Sequence, residues 1–173
     1  MKLILDIPFV CPVNIQRHLM KVYEGEYEVP YFPRTNQRIL DLGANCGAFA
    51  LWAAHRWPGS TIDCYEPHPK TFKFLQENTL AYSNILLHNY AVGTPGMRAL
   101  FDGPNNCGEA SLHSMMNNPA PLGQHVEVRS PLDLPEADIL KMDIEGSEVE
   151  VIRPLVKAKR PFSAILLECH EES

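Results

Sequence analysis

Three times along this chain a short apolar run of strand length leads through a turn into a stretch with helical spacing. Ile39-Leu40-Asp41-Leu42 ends at Gly43, and residues 47–57 then place Phe49, Ala50, Ala53, Ala54 and Trp57 at helical intervals until Pro58-Gly59. Thr61-Ile62-Asp63-Cys64-Tyr65 precedes a helical pattern over 70–80, with Phe72, Leu75 and Thr79 on one side. A strand pattern over 137–143 precedes a helical one over 147–156, whose apolar residues are Val149, Ile152 and Val156. With further strand patterns at 84–88 and 164–169, this alternation predicts βαβ crossovers and a mostly parallel α/β sheet covered on both faces. Ligands of such sheets bind beyond the carboxyl ends of the strands, where the strand order reverses. Chemistry is therefore expected from the residues that follow each strand.

A chain of 173 residues with 45% apolar side chains builds one ordinary core and is too apolar to remain disordered. Residues 1–37 break the pattern: Pro8, Pro12, Pro30 and Pro33 punctuate them, leaving room for a short helix over 14–23 and an edge strand over 26–29. They read as an N-terminal arm or lid against a domain formed by 38–173. Residues 98–101 and 125–129 read as two more strands. Between them, Asn105, Asn106, Gly108, Ser111, Ser114, Asn117 and Asn118 mark a long polar loop, expected to be functional or mobile.

With a net charge of −6 and only 15 Lys and Arg, the chain has no footprint for general nucleic-acid binding, and a small-molecule partner is expected. Its five cysteines, Cys11, Cys46, Cys64, Cys107 and Cys169, are odd in number and lack C-x-x-C spacing. That argues against a zinc ribbon or a disulfide framework and for reduced, packed thiols. The apolar start over 1–5 is broken by Asp6 and Pro8. No run approaches the roughly 18–20 apolar residues of a membrane span, so a cytoplasmic protein without a membrane segment is expected.

Four strand ends carry candidate chemistry. At Asp41-Leu42-Gly43-Ala44-Asn45-Cys46-Gly47 a strand enters a glycine turn and then a helix. Gly43 permits a close backbone approach, Gly47 lets the helix start pack tightly, and N–H groups of that helix start can hold an anion such as a carboxylate. The spacing is G-x-x-x-G, neither the dinucleotide fingerprint nor a P-loop, and a plain βα turn is the competing reading. Glu66, in Tyr65-Glu66-Pro67-His68, suits the two hydroxyls of a ribose, against a solvated loop acid. His68 either lines the same cleft or is an ordinary loop histidine. Asn89 is placed to meet an adenine edge, or to make a simple turn. Finally, Ile139, Lys141, Asp143 and Glu145 share one strand face, opposite Leu140, Met142 and Ile144. Charges clustered at a strand's carboxyl end serve a ligand or form a structural ion pair, for instance of Lys141 with Asp133.

Together with Ala91-Val92-Gly93, the segments Asp41 to Gly47, Tyr65-Glu66-Pro67 and Leu140-Lys141-Met142-Asp143-Ile144-Glu145-Gly146-Ser147-Glu148 resemble the FkbM family of S-adenosylmethionine-dependent methyltransferases. Leu132-Asp133-Leu134 and Leu166-Leu167-Glu168-Cys169-His170 are similar to flanking parts of that family, so the resemblance spans residues 38–170. The Lys-x-Asp-x-Glu-Gly element is specific to the family, whereas the glycine turn is shared by class I methyltransferases. The resemblance implies a Rossmann-like class I methyltransferase fold, here shortened at the C-terminus, with S-adenosyl-L-methionine as cofactor. It implies O-methylation of a hydroxyl on a sugar, a natural product or another small metabolite. Asp41, Gly43, Asn45 and Gly47 would surround the methionine part of the cofactor, Glu66 would hold the ribose and Asn89 would sit near adenine. Asp143 would face the methionine ammonium or the acceptor.

A hydroxyl acceptor benefits from a general base near the methyl group. Glu145 is the first candidate, His170 the second and His113 the third, and Lys141 joins the catalytic candidates. A metal held by Asp143, Glu145, Glu168 or His170 is chemically conceivable, but their spacing does not require one and none is expected. The sequence ends soon after the fifth main strand. The acceptor side is therefore expected to be completed by strands 98–101 and 125–129 or by a partner chain, as in a homodimer. Two other functions compete with the enzyme: a non-catalytic cofactor- or partner-binding module, and a nucleotide-dependent oxidoreductase, which the G-x-x-x-G spacing disfavours.

Overall fold

A strand covered on both faces needs apolar side chains in both directions, and the central runs of this sequence meet that demand. The computed structural model describes residues 2–4, 7–12, 20–25, 27, 36–103, 106–112 and 125–168. Strands β1 (Lys2–Ile4) and β2 (Ile7–Phe9) pair antiparallel near the N-terminus. Then β3 (Arg38–Leu42), α1 (Ala48–Arg56), β4 (Thr61–Tyr65), α2 (Pro69–Thr79) and β5 (Ile85–His88) alternate. Strands β6 (Ala91–Val92), β7 (Gly96–Ala99), β8 (Phe101–Gly103), β9 (Asn106–Ser111) and β10 (His125–Arg129) follow. The described chain closes with β11 (Ile139–Met142), α3 (Glu148–Lys157) and β12 (Ala164–Leu167).

The main sheet has five parallel strands in the order β12-β11-β3-β4-β5. This is the Rossmann-like order expected of a class I methyltransferase fold, and it reverses between β3 and β11. Alternation along the strands sends Ile39, Ile62, Ile85 and Ile139 to one face, where they pack with α1 and with Leu75 of α2. Leu40, Leu42, Leu140 and Met142 point the other way, against Val151 and Leu155 of α3. One polar residue inside these runs has a clear reason. Asp63 of β4 accepts from Arg38 Nε at 2.9 Å and Nη2 at 3.2 Å, and its Oδ1 lies 3.1 Å from His88 Nε2, so it links three strands. Burial pushes its carboxyl up, but the bonds to His88 and Arg38 outweigh this and hold it below the usual range.

The described parts of the N-terminal segment lie on the α1 and α2 face. Phe9, Val22 and Tyr27 join that core, Tyr23 donates to Ala48 O at 2.8 Å, and Val10 N donates to Asn78 Oδ1 at 2.8 Å. Most of the helix expected over 14–23 and of the strand over 26–29 falls outside the described residues, although Val22–Glu24 forms a 3₁₀ turn.

Two expectations are corrected. The stretch read as a long polar loop contains β9, which pairs antiparallel with β8. The strands at 98–101 and 125–129 do meet, as β7 and β10, but in a separate three-stranded sheet with β6, so they do not extend the main sheet beyond β12. That small sheet is tied to α3 by Arg98, whose Nη1 donates to Glu150 Oε2 at 2.8 Å. Of the apolar residues read on α3, Val149 and Val156 are exposed, at 55% and 67%, and Ile152 is partly buried against the core. The helix carries two apolar stripes, and packing on Leu40 and Met142 selects the one through Val151 and Leu155. Leu155→Ala is therefore expected to cost about 2–4 kcal/mol in urea unfolding, and Val156→Ala less than about 0.5 kcal/mol.

Candidate active site

The carboxyl end of β3 runs into the glycine turn, where Gly43 has φ +76°. A Cβ on Gly43 would overlap the carbonyl oxygen of Asp143, so the tips of β3 and β11 meet backbone against backbone. Gly47, at φ +91°, lies against Leu75, whose Cδ1 would be 2.9 Å from an added Cβ. Its role is to seat α1 against α2, as its place at the helix start suggests.

The N–H groups of this turn are fully engaged within the chain. Gly43 N and Ala44 N both donate to Tyr65 O at 3.0 Å, and Gly47 N donates to Ala44 O at 2.9 Å. Asn45 N donates to Glu66 Oε2 at 3.0 Å and Cys46 N to Asn45 Oδ1 at 2.8 Å. The expectation that the turn would offer N–H groups to a ligand carboxylate is thus corrected for residues 43–47. Tyr65, Glu66 and the Asn45 side chain already take them.

Glu66, at the tip of β4, is 7% exposed and faces the cleft. Its Oε1 accepts from His68 N at 2.7 Å and its Oε2 from Asn45 N, which leaves each oxygen a further lone pair. Burial raises its pKa to about 7 against the pull of those two bonds. His68 is buried at the N-cap of α2, where Nδ1 accepts from Lys70 N at 3.2 Å and Thr71 N at 3.3 Å, so it is a capping histidine. Asn89 does not line the cleft. Its Nδ2 donates to Glu66 O at 2.8 Å and Pro67 O at 3.2 Å, which corrects the adenine assignment and makes it a brace for the β4 tip.

Lys141 and Asp41 are also corrected as ligand contacts. They lie below the cleft floor, 4% and 0% exposed, with Lys141 Nζ 3.1 Å from Asp41 Oδ1. The same ammonium donates to Gly43 O at 2.8 Å. Burial opposes the lysine's charge, but Asp41 and Asp143 outweigh it, so its pKa is raised and it stays protonated. The ion-pair reading of Lys141 holds, with Asp41 in place of Asp133.

Beyond β11, Asp143 N donates to Leu42 O at 3.1 Å and the chain turns through Glu145 at φ +52° and Gly146 at φ +94°. The Glu148 carboxylate accepts from Ile144 N at 3.3 Å and Gly146 N at 3.2 Å, which holds this loop. Sequence reasoning passed over Glu148; a glutamate in the first turn of a helix, able to reach back to preceding N–H groups, was the available signal. Asp143, Glu145 and Ser147 all face the cleft, and Asp143 Oδ1 and Ser147 Oγ are buried with no hydrogen-bond partner among the described residues.

The three strand tips converge as expected. Gly43, Asn45, Glu66, Asp143 and Glu145 line a single cleft of about 640 Å³, mouth included, whose other walls include Tyr65, Tyr90, Val92 and Leu100. Glu66, Asp143 and Glu145 give it three carboxylates, and no Lys, Arg or His is among its described lining residues. His113 and His170 lie outside the described residues. No described helix is long and apolar enough to cross a membrane.

The cleft opens beyond the carboxyl ends of the strands where the sheet order reverses, the place where open α/β sheets bind their ligands. The Methyltransferase FkbM domain family matches residues 41–173, and the chain belongs to that family. It is 31% identical to Methyltransferase 1 of Beauveria bassiana, over 75% of this chain and 62% of that protein. It is 24% identical to the hexuronic acid methyltransferase AglP of Haloferax volcanii, over 76% of this chain and 55% of that protein. Among solved structures it is similar to a precorrin-6y C5,15-methyltransferase from Geobacter metallireducens, with a TM-score of 0.49 and 15% identity over 86% of this chain and 61% of that one. The chain thus spans between half and two thirds of the length of these two named relatives.

The cofactor of the family is S-adenosylmethionine, and the residues present fit it. The cleft is acidic and this molecule carries a sulfonium and an ammonium, the Asp143 Oδ1 acceptor has no partner among the described residues, and Glu66 retains two lone pairs for hydroxyl donors. The buried ion pair beneath it yields a test. Lys141→Met is expected to lower unfolding stability by about 3–5 kcal/mol by stranding the Asp41 charge, and the double variant Lys141→Met/Asp41→Leu to recover most of it in urea titrations.

Proposed function

We propose that the chain binds S-adenosylmethionine in this cleft and transfers its methyl group to a hydroxyl of a small-molecule acceptor. The observation that carries the reading is the charge of the cleft: three carboxylates and no cationic side chain among its described lining. A sulfonium cation is attracted there. The two phosphates of a dinucleotide would meet those carboxylates, and the turn N–H groups that hold a pyrophosphate in dinucleotide binders are already taken. This disfavours the oxidoreductase reading on electrostatic grounds.

When bound, the cofactor supplies an electrophilic methyl group. The chain's residues then have distinct tasks. Glu66 accepts the ribose hydroxyls, Asp143 accepts from the methionine ammonium, and the apolar walls at Tyr90, Val92 and Leu100 cover the purine. Gly43 and Asn45 shape the turn that lets the ligand approach the backbone. Glu145, on a left-handed turn in the cleft, accepts the proton of the acceptor hydroxyl. Catalysis here rests on holding that oxygen in line behind the methyl carbon, at about 3–3.5 Å, with water excluded. The name of the Haloferax volcanii relative supports a sugar as the acceptor class.

A second reading is binding without turnover until another chain joins. Strand β12, the outer strand of the main sheet among the described residues, favours it, since Ile165 and Leu167 are 46% and 42% exposed there and such a strand can pair with a partner such as a second copy. Methyl transfer by the isolated chain would overturn it.

Two outcomes are expected. Glu145→Gln should lower methyl transfer to a sugar acceptor by about 10²–10⁴-fold while leaving calorimetric affinity for S-adenosylhomocysteine within about twofold. Cofactor affinity should also depend on pH through Glu66. The hydroxyls donate to the ionised carboxylate, so binding below the free group's value of about 7 must release a proton. Affinity is then level above about pH 8 and falls by up to about tenfold per unit below 7, and Glu66→Gln flattens that dependence. A flat profile in the unmodified protein would remove Glu66 from the ribose.

A further inference from the structure

We propose that Ser147 is a cofactor-binding residue whose hydroxyl, with the Asp143 carboxylate, accepts hydrogen bonds from the α-ammonium of S-adenosylmethionine; this rests on the cofactor reading above. Ser147 stands at the N-cap of α3, where a serine ordinarily accepts from the second or third N–H of the helix. Here it makes no such bond. The residue is 1% exposed, its Oγ has no hydrogen-bond partner among the described residues, and it faces the cleft. A buried hydroxyl without a partner is destabilising, and a cap bond given up adds to that. Stability alone gives no reason for such a serine, whereas a ligand that donates to it does.

The surrounding charges decide which ligand group fits. Asp143 Oδ1 is a second buried acceptor with no partner, four residues away in the same loop and in the same cleft wall. Glu145 adds a second carboxylate to that loop and to the cleft. The loop N–H groups of Ile144 and Gly146, which could have held an anion, are taken by Glu148. An anionic group would find the Ser147 hydroxyl beside the carboxylates of Asp143 and Glu145. A cation with several N–H donors finds two unpartnered acceptors in a negative field. The α-ammonium of the cofactor is such a group, and both acceptors line the same cleft.

The test uses two ligands that share the adenosine but differ in the amino acid: S-adenosylhomocysteine carries the ammonium and 5′-methylthioadenosine lacks it. Calorimetry on Ser147→Ala is expected to show a loss of about tenfold or more for the first and no change for the second. Ser147→Cys, a weaker acceptor of similar size, should fall between. In the ligand-free protein the melting temperature of Ser147→Ala should rise by about 2–4 °C, because a buried group without a partner is removed. A serine with a purely structural role would give the opposite sign. Equal losses for both ligands, or no loss for either, would overturn the assignment of Ser147 alone. An unmodified protein that binds neither ligand would overturn the cofactor reading itself.

Discussion

The ammonium of Lys141 lies under the floor of the cleft, and the geometry above it follows from what it touches. It is paired with Asp41 at 3.1 Å and donates to the carbonyl of Gly43 at 2.8 Å. Asp41 belongs to β3 and Lys141 to β11, so one buried cation ties together the two strands between which the sheet order reverses. A pair this deeply buried gains little net stability over apolar residues, because removing both charges from water is costly. What it supplies is position: the carbonyl of Gly43 is fixed, and with it the turn that shapes one wall of the cleft.

The neighbouring backbone is held in shapes that most residues avoid. Asn45 and Glu145 both have positive φ without being glycine, and Gly43, Gly47 and Gly146 are positive as well. Such conformations persist only where surrounding bonds over-determine them. Here those bonds are visible. Glu66 and the Asn45 side chain hold the first turn, and Glu148 holds the loop after β11. Two carboxylates therefore serve as internal anions for N–H groups that, in related sheets, receive a ligand's phosphate or carboxylate. The cleft is left with the acceptors Glu66, Asp143 and Glu145 in place of those donors.

Much of this was legible in the sequence. The apolar runs at 39–42, 61–65 and 139–142, each followed by helical spacing, can only satisfy their backbone and bury their faces as parallel strands with crossovers. The strand tips at Gly43, Glu66, Asp143 and Glu145 followed from that, since a parallel sheet presents its carboxyl ends together. The choice between the two apolar stripes of α3 was not legible. Val149 and Val156 are as apolar as Val151 and Leu155, and only the position of the helix over Leu40 and Met142 separates them. The placing of β7 and β10 was beyond local reading too, because antiparallel strands pair equally well inside or outside a main sheet.

The site divides in the same way. Residue order alone determined which side chains stand at the strand ends, because alternation and the rise of a strand are fixed by the backbone. It could not determine which of those side chains reach outward. Asp41, Lys141 and Asn89 are spent on the chain's own carbonyls and charges, while Glu66, Asp143, Glu145 and Ser147 face the cleft. That division depends on distances across strands nearly a hundred residues apart in sequence, as between Gly43 and Lys141, and only tertiary packing sets such distances.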